Sequence, residues 1–555
     1  MAVSAQTAHV EVDCRRWDGA LRRIWTSFGY DELNWTATPR GKQNLATLHA
    51  FMETPYTVRA HNLYTSGTGR GLPHWSSGNV YHEDAAGRPF YDWALVDPVF
   101  DAWVHNGCRP IVELGFCPRA LVPESATLPF TSMPSVYSAY EAGLWAWPPR
   151  DLQRWHDLVA ATVQRYRDRY GADVVRAWYW ELWNEPDISY WQGTVEEYCR
   201  LYDVTVAAVT GVLRDAQVGG PATTGPGVAF LEQFLAHCAG GANAVTGERG
   251  TQLDFVSFHT KGAAFHPWRT YGPLGPEGAE TPERASPSTP KMLAEIRSNL
   301  EAIARYPQFC DLPVLVDECD ASVPAHWGIY DNANFGYRNT AYYPVFQLQL
   351  MKKLLDLDSL GLARVHAATT WSWYFEGDRY FEGTRSLFTA ANVATPLLNA
   401  YRMLARLPDR RLRVDCDQGR GLTQLGDAAE QPEVDGLAAT NGSDRVAVVV
   451  WHHCDDQYRQ GMAQITVTVR HLPFVGRSVR LRHYRIDHAH SNSYSAWVAA
   501  GRPQDPSTGQ LAAIRAHEGL ALCTPERVIE GKPEDIVLSF ELPLPGVSLL
   551  AFRAC

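Results

Sequence analysis

The sequence predicts an α/β protein in which a (β/α)8 barrel carries a C-terminal β-sandwich domain. Three observations lead there. Across the first 400 residues, short β-like runs alternate with amphipathic helical segments, the pattern of a parallel sheet. After about Tyr401 this gives way to strict alternation of apolar and polar residues with hairpin-type turns. The 555 residues are 45% hydrophobic and 20% charged, enough apolar material for a large core and unlike any disordered, collagenous or coiled-coil chain.

The strand candidates are Ile24–Tyr30, Tyr56–Asn62, Arg109–Phe116, Ala177–Asn184, Gln217–Ala222, Phe255–His259, Val314–Glu318 and His366–Trp373. Eight repeats favour a closed barrel, and no GxGxxG follows the first strand to support a Rossmann sheet. From Asp151 to Tyr170, residues Leu152, Trp155, Leu158, Val159, Val163 and Tyr166 share one helical face that stops at Gly171. Thr194 to Glu197 has capping-box spacing and opens another helix. In the later part, Leu437–Thr440 and Val446–Trp451 flank Asn441-Gly442, and Ile536–Leu542 and Val547–Phe552 flank Pro545-Gly546. Both read as hairpins. Ile465, Val467 and Val469 alternate with polar residues, as do Ala8 to Val12 near the start. The expected division is therefore 1–15 as a strand joining the sandwich, 16–400 as the barrel and 401–555 as the sandwich.

The formal charge is −11 and no Lys/Arg run occurs, so neither nucleic acid nor an anionic membrane is expected as a partner. No run approaches the ~20 apolar residues that span a bilayer. The first residues have no basic start and no continuous apolar segment, so no secretion signal is predicted. Eleven dispersed cysteines without a CxxC pair predict free thiols and a cytoplasmic location.

In such a barrel, function sits where strands end and βα loops begin. The fourth candidate strand runs through Trp178, Tyr179 and Trp180 to Asn184-Glu185-Pro186, and the seventh ends in Asp317-Glu318. Strands four and seven face each other across a barrel mouth, and two carboxylates meeting over a pocket are the minimum equipment for cleaving a glycosidic bond. A single strand-end glutamate is more often a solvated or salt-bridged residue; the aromatic strand closing in Asn-Glu-Pro is the more specific signal. His61 ends the second strand and His259 the sixth, and each alone would be a satisfied core histidine. Trp371, Trp373 and Glu376 close the eighth, where core packing is the blander alternative for the tryptophans. Phe116 and Tyr330 are further pocket candidates.

These motifs resemble the retaining glycoside hydrolases of the large (β/α)8 clan, and within it family 39, the β-xylosidases and α-L-iduronidases. The likeness runs through Asn79 to Asp84, Tyr91 to Trp93, Leu114 to Phe116, Trp183 to Asp187, Ser257 to His259 and Asp317-Glu318. It continues at Arg485 to Asp487 and His490 to Asn492. The resemblance implies Glu185 as acid/base, Glu318 as nucleophile, and Asn184 as donor to the sugar 2-OH. It also places His61 and His259 along the glycone subsite. In a pair of this kind the ionised nucleophile keeps its partner protonated until the glycosyl ester forms. It implies no cofactor and no metal.

Lys261 follows His259 by two residues. In the iduronidase branch a lysine here binds the substrate carboxylate with help from an arginine resembling Arg385; the alternatives are hydrogen bonds to neutral sugar hydroxyls and pairing with an acidic neighbour. The leading expectation is an exo-acting β-D-xylosidase releasing xylose from xylo-oligosaccharides or a related small glycoside. The alternatives are an α-L-iduronidase-like or other uronide-acting hydrolase, and a carbohydrate-binding pseudoenzyme. His452-His453-Cys454-Asp455 and His483/His488/His490 look like metal clusters but are assigned to structure, the first because alternate strand residues diverge and the second because the resemblance implies no metal role for its neighbours. Arg119–Pro149 and the Pro/Gly-rich Gly262–Pro290 are the loops expected to shape the pocket, the latter as a lid.

Overall fold

The computed structural model describes residues 6–52, 55–67, 76–129, 141–265, 283–323, 325, 327–371, 379–474, 476–531 and 533–555. Trp373, Glu376, most of Gly262–Pro290 and part of Arg119–Pro149 lie outside them.

All eight expected barrel strands form. They are Ser27–Tyr30, Tyr56–Ala60, Cys108–Leu114, Tyr179–Leu182, Gln217–Thr223, Phe255–Lys261, Val314–Asp320, and an eighth split into Val365–Ala368 and Thr370–Trp371. Every neighbouring pair is parallel. The break at Thr369 closes the ring. Val365–Ala368 pairs with the seventh strand, whereas Thr370 and Trp371 pair with Phe28 and Gly29 of the first. Apolar residues dominate these strands because both faces are covered, outside by helices and inside by the barrel's own side chains.

The helix signals hold locally. Leu152–Tyr170 starts at Asp151, whose side chain accepts from the backbone N–H groups of Gln153 and Arg154, and ends at Gly171 with φ 89°. Its Trp155, Leu158, Val159, Val163 and Tyr166 are buried. Thr194 and Glu197 cap Val195–Val212 reciprocally.

The second domain is a single nine-stranded mixed sheet that curls over so that its two halves pack face to face. Gln6–Ala20 belongs to it, antiparallel to Arg410–Cys416 and parallel to Gly461–Arg470. Val10, Val446, Val448, Val467, Leu481 and Leu550 fill the space between the halves. The first expected hairpin forms between Glu433–Thr440 and Arg445–His453, with a longer connection than Asn441-Gly442 alone. Asn441 accepts through Oδ1 from the N–H groups of Ser443, Asp444 and Arg445, and Gly442 alone takes positive φ. The second does not form. Ile536–Leu544 pairs with Gly461–Arg470, while Gly546–Ala554 pairs with Arg445–His453 and Val479–Ile486. The single residue between them, Pro545, is too short for a hairpin turn, and the chain crosses from one half of the curl to the other.

The barrel and the curled sheet share one apolar core that includes Val449, Trp451, Ile486 and Leu549. Polar anchors cross the junction. Thr289 donates its N–H and hydroxyl to Asp455, and Lys353, fully buried on helix Tyr342–Asp356, contacts Asp435 at 3.1 Å and Glu433 at 3.6 Å. His453 bonds Asp455, His452 bonds the Leu542 carbonyl, and His483 bonds Ser548, so these histidines serve the sheet. All eleven cysteines are unpaired, and among the described residues no helix is long and apolar enough to cross a membrane. Removing Lys353 would leave Lys352 on Asp435 at 3.0 Å but Glu433 with Arg420 only at 3.9 Å, a poorly compensated buried charge. Lys353→Ala is therefore expected to lower unfolding free energy by roughly 3 kcal/mol, read from the urea midpoint; an unchanged midpoint would show that the junction does not depend on this lysine.

Candidate active site

Glu185 is placed by an unusual stretch of backbone. The fourth strand ends at Leu182; Trp183 and Glu185 then take left-handed φ values of 67° and 46°, and the Glu185 N–H donates to the Ala222 carbonyl at 2.9 Å. Left-handed backbone disfavours side chains other than glycine, so the neighbouring strand must hold this turn. Opposite, the register between the sixth and seventh strands slips by one residue, with Val316 beside Phe258 and Glu318 beside His259. The bulge at Asp317 lets two consecutive acids, Asp317 and Glu318, both approach the barrel axis.

The two glutamates meet. One carboxylate oxygen of Glu185, one of Glu318 and a ring nitrogen of His259 all lie within 4.8 Å of one another. His259 Nδ1 shares a 2.8 Å hydrogen bond with Glu185 and stands 3.8 Å from Glu318. Lys261 Nζ donates to Glu318 Oε2 at 2.6 Å and to Asp320 at 2.7 Å, and Arg385 pairs with the same Asp320. His61 Nε2 lies 3.3 Å from the other Glu318 oxygen, with its Nδ1 on Glu113. Lys261 thus sits between two acids, the plainer of the duties weighed for it. Three acid-and-histidine ligands this close could share a metal ion, but Lys261, His61 and Arg59 already crowd Glu318 with positive charge, which opposes a further cation.

Beneath the pair lies a buried guanidinium. Arg59, on the second strand, reaches Glu181 at 2.6 Å, Glu113 at 3.1 Å, Asp317 at 3.3 Å and Glu318 at 3.6 Å, and donates to Asn184 Oδ1 at 3.0 Å. That last bond fixes the Asn184 amide plane. Trp371 is buried beside them, its ring 4.3 Å from the His61 ring and its indole N–H donating to Asp31 at 3.2 Å. Phe116 is buried between His61 and the tryptophans 145 and 183, backing the histidine. Tyr330 lies half-buried with Arg379 stacked 4.4 Å over its ring.

Sequence reasoning missed Asp31, Glu113, Glu181 and Asp320 and undervalued Arg59. A signal existed: Arg59, Glu113 and Glu181 are charged residues inside otherwise apolar strands, where no water can pair them.

So many charges at close quarters divide protons unequally. Burial would raise Glu318, but Lys261, His259 and His61 hold it well below the usual carboxylate range. Asp317 is pushed far up by burial and by ionised Glu181, whereas Glu181 is kept low by Arg59 against its own burial. Asp31 is pushed up to about 6, chiefly by burial. Burial disfavours a charged His61, yet Glu113, Glu318 and Asp31 lift it to about 10.

A parallel barrel with an ionised carboxylate facing a second one over its mouth is the architecture of a glycoside hydrolase. Residues 10–526 match the family described as glycosyl hydrolases family 39. The chain belongs to that family. A β-xylosidase of Geobacillus stearothermophilus is 25% identical over 485 residues, 85% of this chain and 82% of that protein. The α-L-iduronidase of Homo sapiens is 24% identical over 591 residues, 99% of this chain and 79% of its own. The solved monomeric β-xylosidase from Caulobacter crescentus CB15 superposes with a TM-score of 0.75 at 24% identity, covering 98% of this chain and 99% of that one; this likeness carries the fold.

The raised His61 gives a pH signature. Its stabilisation is complete below the unfolded value of 6.5 and is lost as pH rises through about 10. The stability gap between the parent and His61→Gln is expected to be widest below pH 6.5 and to close toward pH 10. Melting curves of both proteins across that range check it, and a gap that widens with pH would contradict the charged imidazole.

Proposed function

We propose that this glycoside hydrolase is a retaining, exo-acting β-D-xylosidase that works by double displacement. The observation that carries the retaining assignment is the approach of the Glu185 and Glu318 oxygens to within 4.8 Å, in the range of a nucleophile and acid pair and too close to leave room for an attacking water between them. Glu318, held ionised by Lys261, His259 and His61, is the nucleophile. Its oxygen bonds to C1 as the bond from C1 to the aglycone oxygen breaks, and Glu185 delivers its proton to that departing oxygen. Water then enters, gives a proton to Glu185 and attacks C1. The ester bond breaks and Glu318 regains its charge beside Lys261. Asn184, oriented by Arg59, is positioned to hydrogen-bond the sugar 2-OH, and Trp371 with His61 walls the glycone side.

A neutral pyranoside is favoured by the charge around Asp320. Lys261 and Arg385, the two cations suited to a substrate carboxylate, both already pair with Asp320, and Lys261 also holds Glu318. The second reading, an α-L-iduronide or other uronide, rests on the same two cations and on iduronidase relatives as distant as the xylosidases. Aryl β-D-xyloside and aryl α-L-iduronide assayed side by side decide between them; turnover of the iduronide alone would replace the xyloside reading.

Two variants test the mechanism. Glu318→Ala is expected to lose turnover that azide restores with inverted product. Glu185→Ala is expected to slow substrates with poor leaving groups by about 10²–10⁴-fold while sparing activated aryl glycosides. Equal losses on both substrate types would remove Glu185 from the acid role.

A further inference from the structure

On the face of the curled sheet that leans against the barrel base, three arginines stand in one row. Arg553 lies directly opposite Arg445 on one neighbouring strand and opposite Arg480 on the other. Like charges in facing positions of adjacent strands repel. Two residues along, the same face carries Ala447, Ala551 and Arg482 in register, and beyond them Val449, Leu549 and Tyr484. The two alanines make a low floor. From the barrel side come Phe51, Met52 and Arg406, whose guanidinium stacks 5.3 Å over Tyr484, and together these residues enclose a cleft of about 520 Å³. That volume falls within the ~300–1,000 Å³ of small-molecule sites.

Charge in the cleft is left over. Glu526 pairs with Arg480 and Arg482, and Asp444 reaches Arg553 at 3.9 Å. Among the described residues, Arg406 and Arg445 have no carboxylate within ion-pair distance. Two acids answer five guanidiniums, on a chain whose formal charge is −11. The opposed arginine row leaves a place for a ligand that brings the negative charge itself. Guanidinium forks grip carboxylates with two parallel hydrogen bonds, and the low floor at Ala447 and Ala551 leaves room beside them for a sugar ring.

We propose that this cleft binds an oligosaccharide bearing uronate carboxylates, at a site separate from the barrel mouth. The chain would thereby hold an acidic glycan by its decorated part while the barrel mouth works elsewhere. The site is built from different residues than the catalytic pair, so the sugar cleaved by Glu185 and Glu318 does not bear on it.

Isothermal titration with three probes tests this: thio-linked xylotriose carrying one glucuronate branch, unbranched thio-linked xylotriose, and inorganic phosphate, the sulfur linkages resisting cleavage at the barrel mouth. The parent protein is expected to bind the branched probe more tightly than either of the others, with affinity falling as salt rises. Arg445→Ala/Arg553→Ala and, separately, Ala551→Leu, which fills the floor and keeps every arginine, are each expected to weaken that binding about tenfold or more. Neither should change binding of unbranched xylotriose or turnover of aryl glycosides, and the double variant should melt no earlier than the parent because it relieves repulsion. Phosphate binding as tightly as the branched probe, no preference for the branch, or unchanged affinity in both variants would overturn the proposal.

Discussion

The buried guanidinium of Arg59 is the interaction on which the strand ends bearing Glu185 and Glu318 depend. It has no exposure to water, and it touches side chains from the third, fourth and seventh strands at once. Burying one such charge is expensive, and burying the carboxylates around it without the cation would cost more. Their mutual attraction in a dry interior repays much of the cost, and the geometry of that attraction aims Asn184 and Glu318 toward one point. The bulge at Asp317 and the left-handed turn at Glu185 are local distortions that the same network holds in place. Asp317, pushed far up by burial and by Glu181 while Arg59 holds Glu181 low, shows how unevenly the interior shares protons among its crowded acids.

Much of this was legible in the sequence because it is locally encoded. Strand runs, helix periodicity, the Asp151 and Thr194 caps and the turn signal at Asn441-Gly442 depend on neighbours in the chain, and all have structural counterparts. The strand-end residues Glu185, His259 and Glu318 could be picked out because a barrel makes position along a strand equivalent to position in space. What escaped depends on partners remote in sequence. The pairing of Lys261 with Asp320, and of Arg59 with four acids, follows from which residues face inward around the ring, and a register slip of one residue at Asp317 changes that for an entire strand end. The Pro545 crossover was read as a hairpin because its flanks alternate correctly; only its one-residue length betrays that the strands belong to opposite halves of the curl.

Family 39 joins enzymes named for a neutral sugar and for an acidic one, and this chain lies about equally far from both. Near the paired glutamates, the carboxylate of Asp320 already lies between Lys261 and Arg385 and pairs with both.

The strand Gln6–Ala20 is held between Arg410–Cys416 and Gly461–Arg470, some four hundred residues further along. During synthesis on a ribosome it emerges before the barrel and meets its partners only after the barrel has emerged. The whole barrel can close while that strand still waits, and its alternating apolar residues Ala8, Val10 and Val12 stay uncovered through the interval. The order of maturation is thereby written into the topology: the barrel can be complete before the curled sheet, and any nascent fragment that lacks the returning strands leaves this one sticky and uncovered.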